Sequence, residues 1–410
     1  MIARRHVFHI GGYDPITPEQ QLRRVSKSLS MFQNTWGPRA EVVSDIEVTQ
    51  VSASWDIETS APNWKTRTTY EMLRWDDLIL EDHGRGMWSR LGQGFVTLYD
   101  FIVTGTLFRF MYSSWKYAGF FLFPYLYVAL FIACGATLGY GLVRLTGLTG
   151  VTAVLLAGAV TLGVMIGLLH LFGWRRPINH VFDDWIFSRE FVYGRRPRMD
   201  ARIDQFAERI LDRIRYADAD EIVIIGHCLG AALVMDSVAR ALRRDPELAR
   251  RGPPLCVLTV GATIPKFSLH PRGERTRQAT RAVADELAIR WAEYHARDDA
   301  ISFYRFDPVT LKRFGRDRSD GRPNIRRVQM HNMMGIDSFR RHRFNFMLLH
   351  YKFLMGNSLR AEYDYCLIVC GPLPFDEITA PRGGVDRFGE DGALLTRDTP
   401  SAAAVAVDAA

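Results

Sequence analysis

The chain has 410 residues, of which 48% are hydrophobic and 24% charged, values that exclude a disordered or fibrous protein. There is room for two domains, or for one large domain carrying an insertion. It carries 52 basic against 45 acidic residues, for a net charge of +7, and only six of the basic residues are lysine (Lys27, Lys65, Lys116, Lys266, Lys312 and Lys352). This arginine surplus suits a phosphate-bearing surface such as lipid headgroups, or reflects nothing more than codon composition. No basic motif interleaved with aromatics supports nucleic-acid binding, and none is expected.

Residues 6–10 read as a short strand ending in Gly11 and Gly12, followed by a helix over residues 18–32. Alternating stretches within 41–59 and 70–80 predict further strands, so residues 1–91 form the first part of an α/β domain. Residues 95–110 are rich in Phe, Leu and Val, and read equally as a membrane-interface helix (within 92–116) or as a core helix. Residues 117–143 are 27 positions without charge, and residues 145–174 are 30 positions without Asp, Glu, Lys or Arg. A helix crosses the hydrocarbon core in about 20 residues, so 117–174 predicts a two-helix transmembrane hairpin turning near Arg144. Gly135 and Gly139 share a face of the first arm, and Gly163 and Gly167 of the second, which predicts close helix approach through both pairs. Arg109, Lys116, Arg175 and Arg176 lie outside the hairpin against Arg144 alone at its tip, which puts both flanking segments and both termini in the cytoplasm.

After the hairpin, residues 175–379 read as the main part of the α/β domain. Ile203, Phe206, Ile210 and Ile214 mark a helix over 199–215. Strand-like stretches at 221–225, 255–260 and 287–291 alternate with helices, which implies a mostly parallel sheet flanked by helices. Residues 380–410 lack an apolar period and read as a disordered tail. Five cysteines (Cys134, Cys228, Cys256, Cys366, Cys370) form no paired framework and suit free thiols in a reducing compartment. Neither a metal site nor an organic cofactor is implied by any spacing of His and Cys. The amino-terminal stretch lacks a small-residue cleavage site and does not read as a signal peptide.

The most informative stretch is a β-branched run from Glu221 that ends in Gly226, His227, Cys228, Leu229 and Gly230 and opens an apolar-periodic helix. A nucleophile on a tight strand-to-helix turn needs small residues two before and two after it, which Gly226 and Gly230 supply. The helix amino terminus then points its N–H groups at developing negative charge.

This segment resembles the nucleophile elbow of the α/β-hydrolase superfamily, in particular lipases of the class 3 or fungal-lipase-like type. The resemblance is loose over residues 6–10 and closer over 221–355; the hairpin lies outside it. Those proteins carry serine where this chain has Cys228, although dienelactone-hydrolase-like members use a thiol there. The resemblance implies a triad in the order nucleophile, acid, histidine. Asp299, followed by Ala300 and Ile301, matches the acid, with Asp298 as the alternative. His350, in an apolar and aromatic segment, matches the base, with His331 next. His342 sits among Arg340, Arg341 and Arg343, where a phosphate or lipid contact is expected, and His295 reads as structural. The oxyanion hole would draw on Leu229 and on the Gly11–Gly12–Tyr13 loop.

The chain is therefore expected to be a membrane-anchored hydrolase of acyl esters, with lipid as substrate, acting through Cys228, His350 and Asp299. A cysteine-dependent thioesterase or acyltransferase is the alternative, as is a non-catalytic membrane protein that keeps the hydrolase shell. The flanking charges generate a direct topology test. A reporter fused at the carboxyl terminus should read as cytoplasmic and one inserted at Gly147 as external; an external carboxyl terminus would overturn the orientation.

Overall fold

The computed structural model describes residues 1–173, 178–216, 218–315 and 321–395. The chain forms two compact units, one of residues 1–79 and 194–410 and the other of residues 80–193.

In the first unit the chain runs through β1 (Arg4–Ile10), α1 (Pro18–Trp36), β2 (Arg39–Val42), β3 (Glu47–Val48), β4 (Ser52–Ala61), β5 (Trp64–Leu73) and the start of α2 (Asp76–His83). The second unit holds α3 (Met87–Val103), α4 (Thr106–Ser113), α5 (Trp115–Thr146), α6 (Gly150–Leu168) and α7 (Ile178–Val192). The first unit resumes with α8 (Pro197–Tyr216), β6 (Glu221–His227), α9 (Gly230–Arg244), α10 (Leu248–Arg251), β7 (Leu255–Val260), α11 (Ile264–Ser268) and α12 (Glu274–Asp285). It ends with β8 (Arg290–Ala296), β9 (Asn324–Val328), α13 (Met330–Met334), α14 (Ile336–His342), α15 (Phe346–Tyr351), α16 (Tyr365–Cys370) and α17 (Phe375–Ile378).

One sheet orders its strands β2-β4-β5-β1-β6-β7-β8-β9, with β3 on β4. Strands β5 through β9 run parallel, while β2, β3 and β5 each pair antiparallel with β4. This is a mixed α/β architecture with a mostly parallel central sheet. Every residue of β6 and β7 is buried, as expected for parallel strands covered on both faces. Helix α1 covers one face, where Val25, Leu29, Phe32 and Trp36 join the core. Its start is fixed by sequence: Thr17 and Gln20 form a capping box and Pro18 takes the first turn. Helix α9 packs between α8 and α12.

In the second unit α5 and α6 form an antiparallel hairpin, extended by a π-helical turn, Leu169–Gly173. Both helices are long and apolar enough to cross a membrane. Gly135 and Gly139 do permit close approach, since a Cβ on either would lie within 3 Å of the Thr161 or Ala157 backbone. Gly163 and Gly167 correct the expectation for the second arm: both face open space, and the partner positions are Ala157 and Thr161. The unit's core is aromatic, with Trp185 meeting Phe121 edge-on at 4.7 Å and Phe101 stacked on Phe121 at 5.2 Å. Asp183 is fully buried there against Arg90, 2.9 Å away. Both helices before the hairpin turn apolar side chains outward: Trp88, Phe95 and Tyr99 on α3, Phe108 and Tyr112 on α4.

Several expected boundaries move. The helical unit is wider than 117–174, because α3, α4 and α7 pack with the hairpin rather than with the sheet. The strand expected in 70–80 is β5, which starts earlier and gives way to α2. The strand expected at 287–291 begins at Arg290 and runs to Ala296, since Glu286 closes the preceding helix. Residues 380–395 are not a disordered tail: Phe388 packs on Trp36, and the Trp64 indole donates to the Gly392 carbonyl at 2.8 Å. Residues 396–410 of that expected tail, Trp174 at the end of the expected hairpin, and the flanking Arg175 and Arg176 lie outside the described residues.

Glu71 at the end of β5 is fully buried, accepts from Arg209 on α8 at 2.6 Å, and lies 3.1 Å from His6 on β1. Burial alone would raise its carboxyl, but His6 and Arg209 outweigh that and lower it from 4.5 to about 2. A depressed carboxylate stabilises the fold above its unfolded value, and the contribution fades as pH falls through the folded one. Glu71→Gln should therefore cost roughly 2–3 kcal/mol at neutral pH. Denaturant titrations of wild type and variant should converge as pH drops from about 4.5 toward 2; a gap independent of pH would refute the assignment.

Candidate active site

Cys228 sits between β6 and α9 with φ 56°, in the left-handed region that side chains seldom adopt. The strain, on the order of 1 kcal/mol or more, persists because neighbours over-determine the turn. The Cys228 N–H donates to the Val260 carbonyl at 3.2 Å, and its own carbonyl accepts from Thr263 and Ala231 at 3.1 and 3.2 Å. A Cβ on Gly226 would lie 2.5 Å from the Ala231 Cα, and one on Gly230 would overlap the carbonyl oxygens of Ile10 and Gly11. The glycine spacing thus reflects close backbone approach on both sides of the turn.

Asp299 follows β8 in a loop, is buried, and accepts from the Ile301 N–H at 3.0 Å. His350 lies near the end of α15 rather than at a helix start, and is buried too. Its Nδ1 meets both Asp299 carboxylate oxygens, at 3.0 and 2.9 Å. Its Nε2 makes no hydrogen bond among the described residues. Burial alone would lower the imidazole's proton affinity; the Asp299 carboxylate and the Cys228 sulfur outweigh it and raise it above its ordinary value. The thiol therefore stands close enough to act on the imidazole through charge, while Nε2 is left open to take a proton.

His227 is buried with its ring 4.5 Å from that of His350, and its Nε2 lies 3.2 Å from the His350 carbonyl oxygen. Burial, then the charge of His350, hold its pKa well below the ordinary value, so it serves as a neutral donor to the His350 carbonyl. Gly12 abuts Cys228: a Cβ there would lie 2.8 Å from the Cys228 Cβ and 3.3 Å from its sulfur. Neither the Gly12 nor the Leu229 N–H finds an acceptor among the described residues, so both are available beside the thiol. The Tyr13 ring is buried edge-on against Trp75 and belongs to the core.

The alternatives fall elsewhere. The His331 ring lies against Phe339, His342 Nδ1 donates locally to the Ser338 carbonyl at 2.9 Å, and His295 is bound by Glu293 at 2.6 Å. Asp298 is half-buried, and His350 takes its neighbour Asp299 instead.

Sequence reasoning missed the residues that hold the loops in place. The Trp75 indole donates to the Gly11 carbonyl at 3.2 Å, and the Tyr351 hydroxyl donates to Asp14. Gly261, at φ 53° after β7, lets the chain pass His350, since a Cβ there would lie 2.9 Å from its ring. A glycine directly after a buried strand was the available signal. A void of about 20 Å³ lies beside the Gly11–Gly12 loop, lined by His9, Trp75, His227 and Tyr351 among others; that is room for one water, not an acyl chain.

A scan against protein-family models finds no match, and neither does a search of curated proteins or of solved structures.

Cys256, Cys366 and Cys370 are buried, whereas Cys228 is half-exposed and Cys134 lies on α5. Brief iodoacetamide treatment followed by mass spectrometry should find Cys228 alkylated first; absent or uniform labelling would remove it as a nucleophile. Asp299→Asn leaves burial to dominate at His350, so the thiol loses its proton acceptor. Alkylation of Cys228 at pH 7 should slow by roughly tenfold or more, and an unchanged rate would separate Asp299 from the thiol's chemistry.

Proposed function

We propose that this chain is an acyl hydrolase of α/β-hydrolase type in which Cys228 is the nucleophile. The observation that carries the reading is the left-handed Cys228 turn beside a buried His350–Asp299 pair. The sheet supports it. The candidate nucleophile, acid and oxyanion loop all follow the carboxyl ends of adjacent or near-adjacent parallel strands β1, β6 and β8, where open α/β sheets place their ligands.

The thiol sulfur attacks the acyl carbonyl carbon while His350 Nε2 takes the thiol proton. Asp299 holds the imidazole by Nδ1 and stabilises its charged form. The oxyanion accepts from the Gly12 and Leu229 N–H groups. Collapse expels the alcohol or thiol, which leaves with the proton from His350, and forms an acyl-thioester on Cys228. Water then attacks that thioester, giving its proton to His350, and the carboxylic acid and free thiol are released.

The hairpin α5–α6 tethers the chain to a membrane, with both termini cytoplasmic and the outward apolar side chains of α3 and α4 in the headgroup layer. Lipid esters are the acyl groups most abundant at such an anchor. The sulfur nucleophile favours one variation, acyl-thioester substrates, because sulfur-to-sulfur acyl exchange is nearly balanced in energy. No acceptor other than water is needed for hydrolysis, and a strict requirement for one would make the protein a transferase.

The test is a panel of p-nitrophenyl esters, acyl-thioesters and dispersed lipid esters, assayed on the full chain in detergent or nanodiscs. Cys228→Ala should abolish turnover, and Cys228→Ser should retain partial activity on activated esters, since His350 can act as general base. Wild-type turnover equal to that of Cys228→Ala on every substrate would leave only a non-catalytic hydrolase shell.

A further inference from the structure

The arginines of this chain are mostly engaged. Arg5 meets Glu221, Arg202 meets Asp77, and Arg240 meets Asp200 and Asp204. Against that background the segment just before the candidate base stands apart. Arg340, Arg341 and Arg343 are all exposed, and none has an ion-pair partner among the described residues. On either side of them the chain exposes apolar side chains: Ile336 at 47%, Phe344 at 74% and Phe346 at 50%. The Arg343 guanidinium lies 4.8 Å above the Phe344 ring, which pre-sets the two as one amphipathic group. The segment has defined local structure. His342 bonds the Ser338 carbonyl, and the Asn345 side chain caps α15 by accepting from Leu348 at 3.0 Å.

Unpaired guanidinium groups flanked by exposed aromatic and aliphatic side chains fit one environment, the boundary between anionic headgroups and acyl chains. Guanidinium binds phosphate in a fork and the rings sit just below it. Nucleic acid would use the arginines and the rings, but leaves no role for exposed Ile336 and for Leu359, which lies against Gly335. The strip also leads straight into α15, the short helix that carries His350. We infer that the exposed strip from Ile336 to Phe346 docks the α/β unit on anionic phospholipid and so holds the thiol at a lipid surface. The docking stands on the strip's own chemistry; its consequence for lipid substrates rests on the hydrolase reading above.

The experiment uses the full chain in nanodiscs, with Cys134 and Cys228 replaced by alanine and an environment-sensitive thiol fluorophore at Phe344→Cys. Its emission should shift to the blue in discs containing roughly one-third phosphatidylglycerol, but not in pure phosphatidylcholine. High salt, or the triple change Arg340→Glu, Arg341→Glu, Arg343→Glu, should reverse the shift. A probe at Leu287→Cys, an exposed site off the strip, should not respond. In the otherwise wild-type chain the triple variant should lose roughly tenfold or more of its turnover of phospholipid esters in anionic discs, with soluble short-chain ester turnover unchanged. A probe at position 344 that stays aqueous in anionic discs, or that shifts only with added single-stranded RNA, would overturn the proposal. If wild type turns over no ester at all while the probe still shifts, the hydrolase reading fails and the docking surface stands.

Discussion

The turn at Cys228 is the constraint from which the rest of the α/β unit takes its register. A non-glycine residue in the left-handed region is costly, and here backbone from three directions holds it there. β7 supplies the Val260 carbonyl, the segment after it supplies the Thr263 N–H, and the end of β1 closes on Gly230. Each contact that pins the turn also places a loop needed beside the thiol. The β1 contact brings Gly12 to the sulfur, and the β7 contact brings Gly261 under the His350 ring. Strain at one residue and convergence of three loops are thus a single packing solution.

The electrostatics of the site follow from burial. An imidazole as buried as His350 would be neutral on its own, and a carboxylate as buried as Asp299 would be costly. Pairing with the Asp299 carboxylate makes the charged form of the His350 imidazole tolerable. His227 adds a neutral contact rather than a second charge, because burial and the charge of nearby His350 keep it deprotonated. Two adjacent imidazoles are thereby given different states by environment alone.

What could be read in the sequence was what is local. The helix from Pro18, the apolar run into Cys228 and the glycines around it carry their reasons within a few residues, and these elements appear where expected. Pairing Asp299 with His350 needed the resemblance, since the two are far apart in sequence and nothing local chooses Asp299 over Asp298. Partners fixed purely by tertiary approach were not legible. Gly135 meets Thr161 and not a glycine, because the offset of two antiparallel helices is set by their turn. Residues 380–395 look unstructured by composition, yet the Trp64 indole and the Phe388 ring tie them to the sheet. A hydrogen bond from a residue more than 300 positions away leaves no local trace.

The helical unit of residues 80–193 interrupts the sheet between β5 and β6 without dividing it, and the reason lies in β1. That strand pairs β5 along one edge and β6 along the other, so segments from before and after the insertion share one ladder. The chain's departure and return are also fastened together within the α/β unit. Arg202 on the returning helix α8 holds Asp77 and donates to the Arg74 carbonyl, both on the departing segment. One turn pair further along α8, Arg209 reaches the buried Glu71 at the end of β5. An insertion costs a fold little if its two ends are already neighbours, because loop-closure entropy then falls on the inserted unit rather than on the host. Those ion pairs make the ends neighbours. They let a long apolar helical hairpin and the tight turn at Cys228 coexist in one chain, each built on its own packing.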